Sequence, residues 1–300
     1  MNKIIKKIQY SEKVYRFDVE APLIAKSRKA GNFVIIRVDA NSERMPLTIA
    51  DADIEKGTIT LVVQKVGLSS TKLCNLNEGD EIHDVVGPLG NPTHIENYGT
   101  VICAGGGVGV APMLPIMRAL KAAGNRVLSV IAGRNKELVI MEDEVRASSD
   151  ELIIMTDDGS YGEKGVVTVG IEKLINQEHI DKVFAIGPPI MMKFCCLLTQ
   201  KYNIPTDVSL NTIMVDGTGM ILVLQNEAVH FQKSLEGYLS LFSLGREAKG
   251  VSIQGMKYNL KDYTMSNDFP IGISNEFTAP EAELCCQSGH GLVILTRADG

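Results

Sequence analysis

Cys103-Ala104-Gly105-Gly106-Gly107-Val108-Gly109-Val110-Ala111-Pro112 is the stretch that decides how this 300-residue chain is read. It follows an apolar run at residues 100–104 and opens a segment, 112–123, with helical periodicity. Glycines at such a strand-to-helix turn let the backbone approach a pyrophosphate. The helix start then offers free N–H groups and the positive end of its dipole. Pro112 suits a first helical turn, where a missing N–H is no loss. The strict G-x-G-x-x-G spacing fails, because Val110 stands where the third glycine belongs. A tight strand–helix turn without a ligand is the alternative.

Working outward, strands at 100–104, 127–131, 151–155, 182–186 and 206–210 alternate with helices at 112–123, 138–145, 167–175 and 190–202. That βαβ series predicts a parallel sheet. Further turns follow the later strands: Gly133-Arg134, Asp157-Asp158-Gly159 and Gly187-Pro188. Ligands in open α/β sheets sit at the carboxyl ends of strands, so the four turns together predict a nucleotide site. Any one of them alone also reads as a solvated loop.

Upstream, short strands at 4–10, 14–19, 33–38, 58–63 and 81–86 are separated by turn residues, which predicts a small antiparallel barrel. Beyond Met220 helical periodicity disappears, and 238–244, 250–254, 271–277, 281–285 and 292–296 read as strands. The expected fold is thus a β-barrel at 1–97, a parallel-sheet α/β domain at 98–220 and an all-β segment at 221–300.

Composition removes several function classes. Thirty basic against thirty-six acidic residues leave a net charge of −6, which argues against a nucleic-acid partner. Aromatics make up 5% and tryptophan is absent, a poor basis for stacking on bases. The longest uncharged stretch, 97–117, holds five glycines and two prolines, so no membrane span or membrane partner is expected. The start of the chain shows no apolar signal-peptide region. Six cysteines contain no C-x-x-C pair, which predicts reduced, buried thiols and a cytoplasmic location. Five scattered histidines show no metal-ligand spacing, and no metal site is expected.

Several motifs in order carry a family resemblance. They are Arg44-Met45-Pro46-Leu47-Thr48, Gly87-Pro88-Leu89-Gly90, the 104–112 loop, 156–161, Ile186-Gly187-Pro188-Pro189-Ile190-Met191-Met192, Ser209-Leu210-Asn211 and 214–220. Residues 1 to about 220 resemble the electron-transfer flavoprotein subunits of the ferredoxin–NADP reductase superfamily. Members include the flavin subunits of dihydroorotate dehydrogenase, sulfide dehydrogenase and NADH-dependent ferredoxin:NADP oxidoreductase. The resemblance implies FAD, NAD(H) or NADP(H), and a larger flavin or iron–sulfur partner subunit, with ferredoxin as a further partner. It implies that Arg44 pairs with the FAD pyrophosphate, that Pro46, Leu47 and Thr48 lie along the isoalloxazine, and that Thr48 sits near its reactive nitrogen. It implies that Ser69, Ser70 and Thr71 donate to the FAD phosphates, although that run also reads as a plain turn. Gly87 belongs to the same flavin site. Gly105, Gly106, Gly107, Val108, Gly109 and Pro112 would hold the dinucleotide pyrophosphate. Asp157, Asp158 and Gly159 would border it, and Gly187-Pro188 would admit nicotinamide. Arg134 either meets a 2′-phosphate or caps a helix.

The resemblance breaks after Met220. The family normally continues with cysteines that hold a [2Fe–2S] cluster, whereas this chain reads Ile221-Leu222-Val223-Leu224. Apolar side chains cannot replace thiolate ligands, so no iron–sulfur centre is expected. From about Tyr238 onward the chain resembles the C-terminal β-domain of thiamine pyrophosphokinase. The matching stretches are 238–244, 250–260, 272–277 and 291–296. That implies thiamine as a tail ligand bordered by Ser274 and Asn275, a pair that also reads as a strand-end turn. The kinase's Asp-rich catalytic loop has no counterpart before residue 221.

Overall fold

The computed structural model describes residues 2–208, 214–216, 219–224, 227–232, 237–266 and 275–297. The chain divides into two compact units, Met1–Ser209 and Leu210–Gly300.

The first unit opens with β1 (Asn2–Gln9), β2 (Val14–Glu20), helix α1 (Pro22–Ser27), β3 (Phe33–Arg37), β4 (Met45–Asp53) and β5 (Thr58–Gln64). Helix α2 (Leu68–Asn75), β6 (Glu81–Ile82) and β7 (Asp84–Leu89) follow. The strands form an antiparallel sheet in the order β6-β1-β2-β5-β4-β3-β7. Only His83 separates its two end strands, so the sheet curls nearly closed, as a barrel should. Alternation sets the faces: Val34 and Ile36 are buried while Phe33, Ile35 and Arg37 are half-exposed.

Three local expectations change here. Residues 81–86 make two strands around His83 rather than one. β4 was not read as a strand, because Pro46, Asp51 and Asp53 interrupt its apolar pattern. Ser69, Ser70 and Thr71 lie in α2 rather than in a plain turn. Ser70 Oγ accepts hydrogen bonds from the N–H groups of Gly67 (2.9 Å) and Val66 (3.0 Å), which starts that helix.

The unit continues with β8 (Thr100–Gly106), α3 (Val110–Ala122), β9 (Arg126–Gly133), α4 (Glu142–Ser148), β10 (Glu151–Thr156) and β11 (Glu163–Lys164). It ends with α5 (Val167–Gln177), β12 (Lys182–Ile186), α6 (Pro189–Lys201) and β13 (Thr206–Val208). The sheet is parallel, in the order β11-β10-β9-β8-β12-β13. Strand order therefore reverses between β8 and β12, the place where such sheets open a crevice. The helix expected at 138–145 starts only at Glu142, where three acidic residues meet its positive end.

One sheet face packs Ile102, Ala104, Leu128 and Val130 against Ile171, Leu174 and Leu198. The other packs Val101, Cys103 and Ile131 against Met113, Leu114 and Met117 of α3. That second cluster also contains Val14 and Ala50, so barrel and parallel sheet share one apolar core.

The second unit is antiparallel: β14 (Met214–Asp216), β15 (Gly219–Leu224), β16 (Glu227–Gln232), β17 (Gly237–Gln254), β18 (Leu260–Ser266), β19 (Asn275–Glu276), β20 (Glu281–Cys286) and β21 (Ser288–Arg297). Its main order is β14-β15-β21-β17-β20-β16, with β18 and β19 also paired to β17. The strands expected at 238–244 and 250–254 are one 18-residue strand, β17. Gly250 lets it continue, because φ is 63° there and a Cβ would meet the Gln287 side chain at 2.6 Å. Ser274 lies outside the described residues. Met220 and Ile221 are successive residues of β15, paired with Leu295 and Ile294 of β21. Among the described residues, no helix is long and apolar enough to cross a membrane.

Candidate functional site: a dinucleotide edge and a flavin edge

The glycines of the deciding loop do different jobs. Gly105 and Gly106 end β8, and Gly107–Gly109 form a single 3-10 turn. A Cβ on Gly109 would collide with the Ile186 carbonyl oxygen and lie 2.8 Å from Gly187 Cα. One on Gly106 would collide with Met191 Sδ, and one on Gly105 would stand 3.0 Å from Val110 Cα. These three glycines serve packing. Gly107 does not: its φ is 55°, and its Cβ position meets nothing within 4 Å. Val108 beside it is half-exposed.

Helix α3 starts at Val110 with no side chain capping it, and Pro112 occupies its first turn. Across the strand-order reversal, a Cβ on Gly187 would be 3.3 Å from Gly106 Cα and 2.7 Å from Met191 Sδ. The ends of β8 and β12 therefore meet backbone to backbone, with Pro188 exposed beside them. Sequence reading gave Met191 no role. Its sulfur fills the space that two glycines vacate, and Gly106 is about 80 positions away, a contact that only the fold reveals.

The neighbouring turns are knit together. Asp157 N–H donates to the Gly133 carbonyl (3.1 Å) and Asp158 N–H to that of Arg134 (3.2 Å). Asp158 accepts from Ser160 N–H at 2.9 Å, and its contacts with Ser160 hold its carboxyl below the usual range. Gly159 adopts φ 75° between them. Arg134 is exposed and forms no ion pair among the described residues. It precedes the N-terminal end of a 3-10 turn, Lys136–Leu138, where a cation is a poor cap.

On the barrel, Pro46, Leu47 and Thr48 lie on β4, opposite Ile35, Val34 and Phe33 of β3. β7 lines the other side of β3 and carries Gly87, whose Cβ would stand 2.7 Å from Val34 Cγ1. Arg44, one residue before β4, is exposed and without an ion pair among the described residues. The loop before it is pinned to α2: Ser69 Oγ donates to Glu43 Oε2 at 3.2 Å, and Lys72 Nζ to Asp39 and Ser42 at 3.3 Å. Arg44 and the first turn of α2, with Ser69, Ser70 and Thr71, thus belong to one edge. Ser70's hydroxyl is buried and engaged and that of Ser69 already donates to Glu43, so the donors left there are first-turn N–H groups and the Thr71 hydroxyl. Val66 and Leu68 beside Gly67 are 68% and 75% exposed, large apolar surfaces that sequence reading passed over.

In the second unit, Asn275 is fully buried. Its Oδ1 accepts from Tyr258 N–H (2.9 Å) and its Nδ2 donates to the Tyr258 carbonyl (2.7 Å). All six cysteines are free thiols, four of them buried. Burial pushes the Cys74 thiol up to about 11 and Cys195 up to about 12, with Cys103 and Cys286 also raised.

Comparison with known proteins agrees with this geometry. Residues 103–197 match the model of the oxidoreductase NAD-binding domain. Residues 226–291 match the thiamin pyrophosphokinase vitamin B1 binding domain. A solved NADH-dependent reduced ferredoxin–NADP oxidoreductase superposes with a TM-score of 0.68 and 45% identity, covering 72% of this chain and 78% of its own. The electron transfer subunit of dihydroorotate dehydrogenase B from Streptococcus pneumoniae is 32% identical over 197 residues, which cover 64% of this chain and 75% of that protein. Its homolog from Thermotoga maritima is 49% identical over 220 residues, 73% of this chain and 78% of that protein. With the barrel, the parallel sheet and both glycine-rich edges in the same order, the chain belongs to the family of dihydroorotate dehydrogenase B electron-transfer subunits.

Proposed function

We propose that this chain is an FAD-dependent electron-transfer subunit that oxidises NADH or NADPH in the cytoplasm and hands the electrons to a larger flavin or iron–sulfur subunit, or to a ferredoxin. One observation carries the reading: at the strand-order reversal, Gly106 and Gly187 bring two loops together while Gly107 leaves its outer side open. FAD, when bound, supplies a two-electron acceptor that can release electrons onward.

The chain's own residues fit both nucleotides. Arg44 offers an exposed planar fork to a pyrophosphate, and the first turn of α2, with Ser69, Ser70 and Thr71, adds N–H donors and the Thr71 hydroxyl. Pro46 and Thr48 present a half-buried outer face of β4 for a flat ring, with the Thr48 hydroxyl as the hydrogen-bonding group. The Leu47 backbone lies between them, its side chain against the barrel core. Val66 and Leu68 offer apolar surface that a bound nucleotide would cover. Gly107, Val108 and the uncapped start of α3 suit a dinucleotide pyrophosphate. Asp157 and Asp158 border the ribose side, while Arg134 would favour a 2′-phosphate.

The apolar run at 221–224, which holds none of the thiolates a [2Fe–2S] centre needs, supports a subunit without that centre. Electrons would then leave slowly, and the expected activity is that of a weak diaphorase. A second reading, thiamine binding by the tail, draws on the match at 226–291. Asn275 would support such a site by holding Tyr258, since its amide is already bonded on both sides.

The test is an absorbance spectrum of the purified chain. Flavin bands that bleach under NADH or NADPH are expected, and a colourless protein after FAD reconstitution overturns the proposal. Calorimetry with thiamine tests the second reading, and no heat at millimolar ligand removes it.

A further inference from the structure

β4 serves two parts of the first unit at once. Thr48 belongs to its flavin edge, Ile49 is in the barrel core and Ala50 is in the core shared with α3. Asp51 then reaches across the same seam. Its Oδ1 meets Arg118 Nη1 of α3 at 2.6 Å and Arg28 Nη2 at 3.5 Å, and it also accepts from Ala52 N–H at 2.9 Å. Arg118 in turn points Nε at Ser148 Oγ of α4 (3.4 Å). One oxygen thus faces two arginines and a backbone donor. A register shift between Ile49 and Asp51 turns the carboxylate out of the barrel ladder and toward α3.

This is more than a surface ion pair. The Asp51 side chain is 25% exposed and that of Arg28 20%. Burial lowers the Arg28 pKa, Asp51 raises it, and Arg118 lowers it again as a second cation. Removing the carboxylate would leave the half-buried Arg28 guanidinium beside the Arg118 cation, whose side chain is 41% exposed, without their shared anion. The same α3 begins at the Gly107–Gly109 turn, and the same β4 carries Thr48 three residues before Asp51.

We propose that Asp51, gripped by Arg28 and Arg118, is the positioning residue that sets how closely the dinucleotide loop approaches the flavin strand. The inference rests on the flavin–dinucleotide reading above. It assigns Asp51 no contact with either nucleotide.

The test uses the full chain as wild type, Asp51→Asn, Asp51→Glu and Arg118→Lys. In the protein without added nucleotide, Asp51→Asn is expected to speed amide exchange over residues 107–122 about tenfold, while residues in β2 and β5 stay protected. In the FAD-loaded protein, flavin content should hold. The bleaching rate per bound flavin at saturating NADH should fall roughly ten- to a hundredfold with little change in KM, because a misplacement near 1 Å acts on the transfer step itself. Asp51→Glu, which keeps the charge, should recover part of that rate.

A drop in melting temperature and flavin content with an unchanged rate per bound flavin would mean a purely structural role and overturn the proposal. So would unaltered exchange at 107–122. If Asp51→Asn does not fold, Arg118→Lys, which keeps a cation but loses the fork, decides on the same two readouts. A wild type that takes up no flavin defeats the functional reading and this inference with it. A wild type that bleaches normally beside a variant that bleaches equally well defeats this inference alone.

Discussion

The two units handle their polar residues in opposite ways. In the first, Arg44 and Arg134 stand exposed without an ion pair among the described residues, and Gly107 turns its open side outward. In the second, Asn275 is buried and both ends of its amide bond the Tyr258 backbone. A ligand site needs unused hydrogen-bonding capacity, and a residue already satisfied inside the fold is a strut. Motif matches in both units look alike on paper. Among the described residues, Arg44, Arg134 and Gly107 of the first unit stay available, whereas Asn275 of the second is spent on the fold.

The largest effect should come from splitting the glycines. Gly109→Val drives a side chain into the Ile186 carbonyl and the Gly187 backbone, so a loss of about 3 kcal/mol or outright misfolding is expected in thermal melts. Gly107→Ala should cost only about 1 kcal/mol for its positive φ, yet weaken NADH binding more than tenfold in titrations. Equal melting losses for the two would break the distinction between packing and open glycines.

In the tail, Asn275→Ala should destabilise by about 2 kcal/mol, because it removes a fully buried amide and leaves the N–H and carbonyl of Tyr258 without their partner. Denaturant unfolding followed by tyrosine fluorescence measures it. An unchanged midpoint would show that the amide is not a strut. Arg44→Ala provides the opposite case: about a tenfold weaker FAD affinity by fluorescence titration, with the melting temperature kept. A melting loss without a change in affinity would move Arg44 into the structural class.

The smallest effect concerns pH. Asp150 accepts from Val127 N–H (2.9 Å) at the start of β9, and this bond with Lys121 nearby holds its pKa below the ordinary 3.8. A depressed carboxyl contributes stability above its unfolded pKa and loses it as pH falls through the folded one. Acid unfolding of the wild type should therefore steepen below pH 3.8, and Asp150→Asn should flatten that limb. An identical acid limb in the variant would remove Asp150 from the account.

Much of the architecture was legible because it is periodic. The parallel strands alternate with helices, and β3 and β5 show strand-length apolar runs. β4 was missed because its outward face is polar and holds Pro46. Its role depends on Arg28 and Arg118, 23 and 67 residues away in sequence. α2 was passed over because Gly67-Leu68-Ser69-Ser70 has turn composition, and its start depends on one serine folding back on two N–H groups. The continuity of β15 across Met220 and Ile221 was likewise invisible, since its partner is β21 at the far end of the chain.

By itself the sequence determined the fold class, the order of nucleotide-site motifs and the apolar run at 221–224, because period, turn chemistry and residue type are local properties. Tertiary structure alone decided which glycine is open, which asparagine is already bonded and which aspartate ties β4 to α3. Those answers depend on whether a polar or vacant position finds a partner, and the partners come from distant parts of the chain.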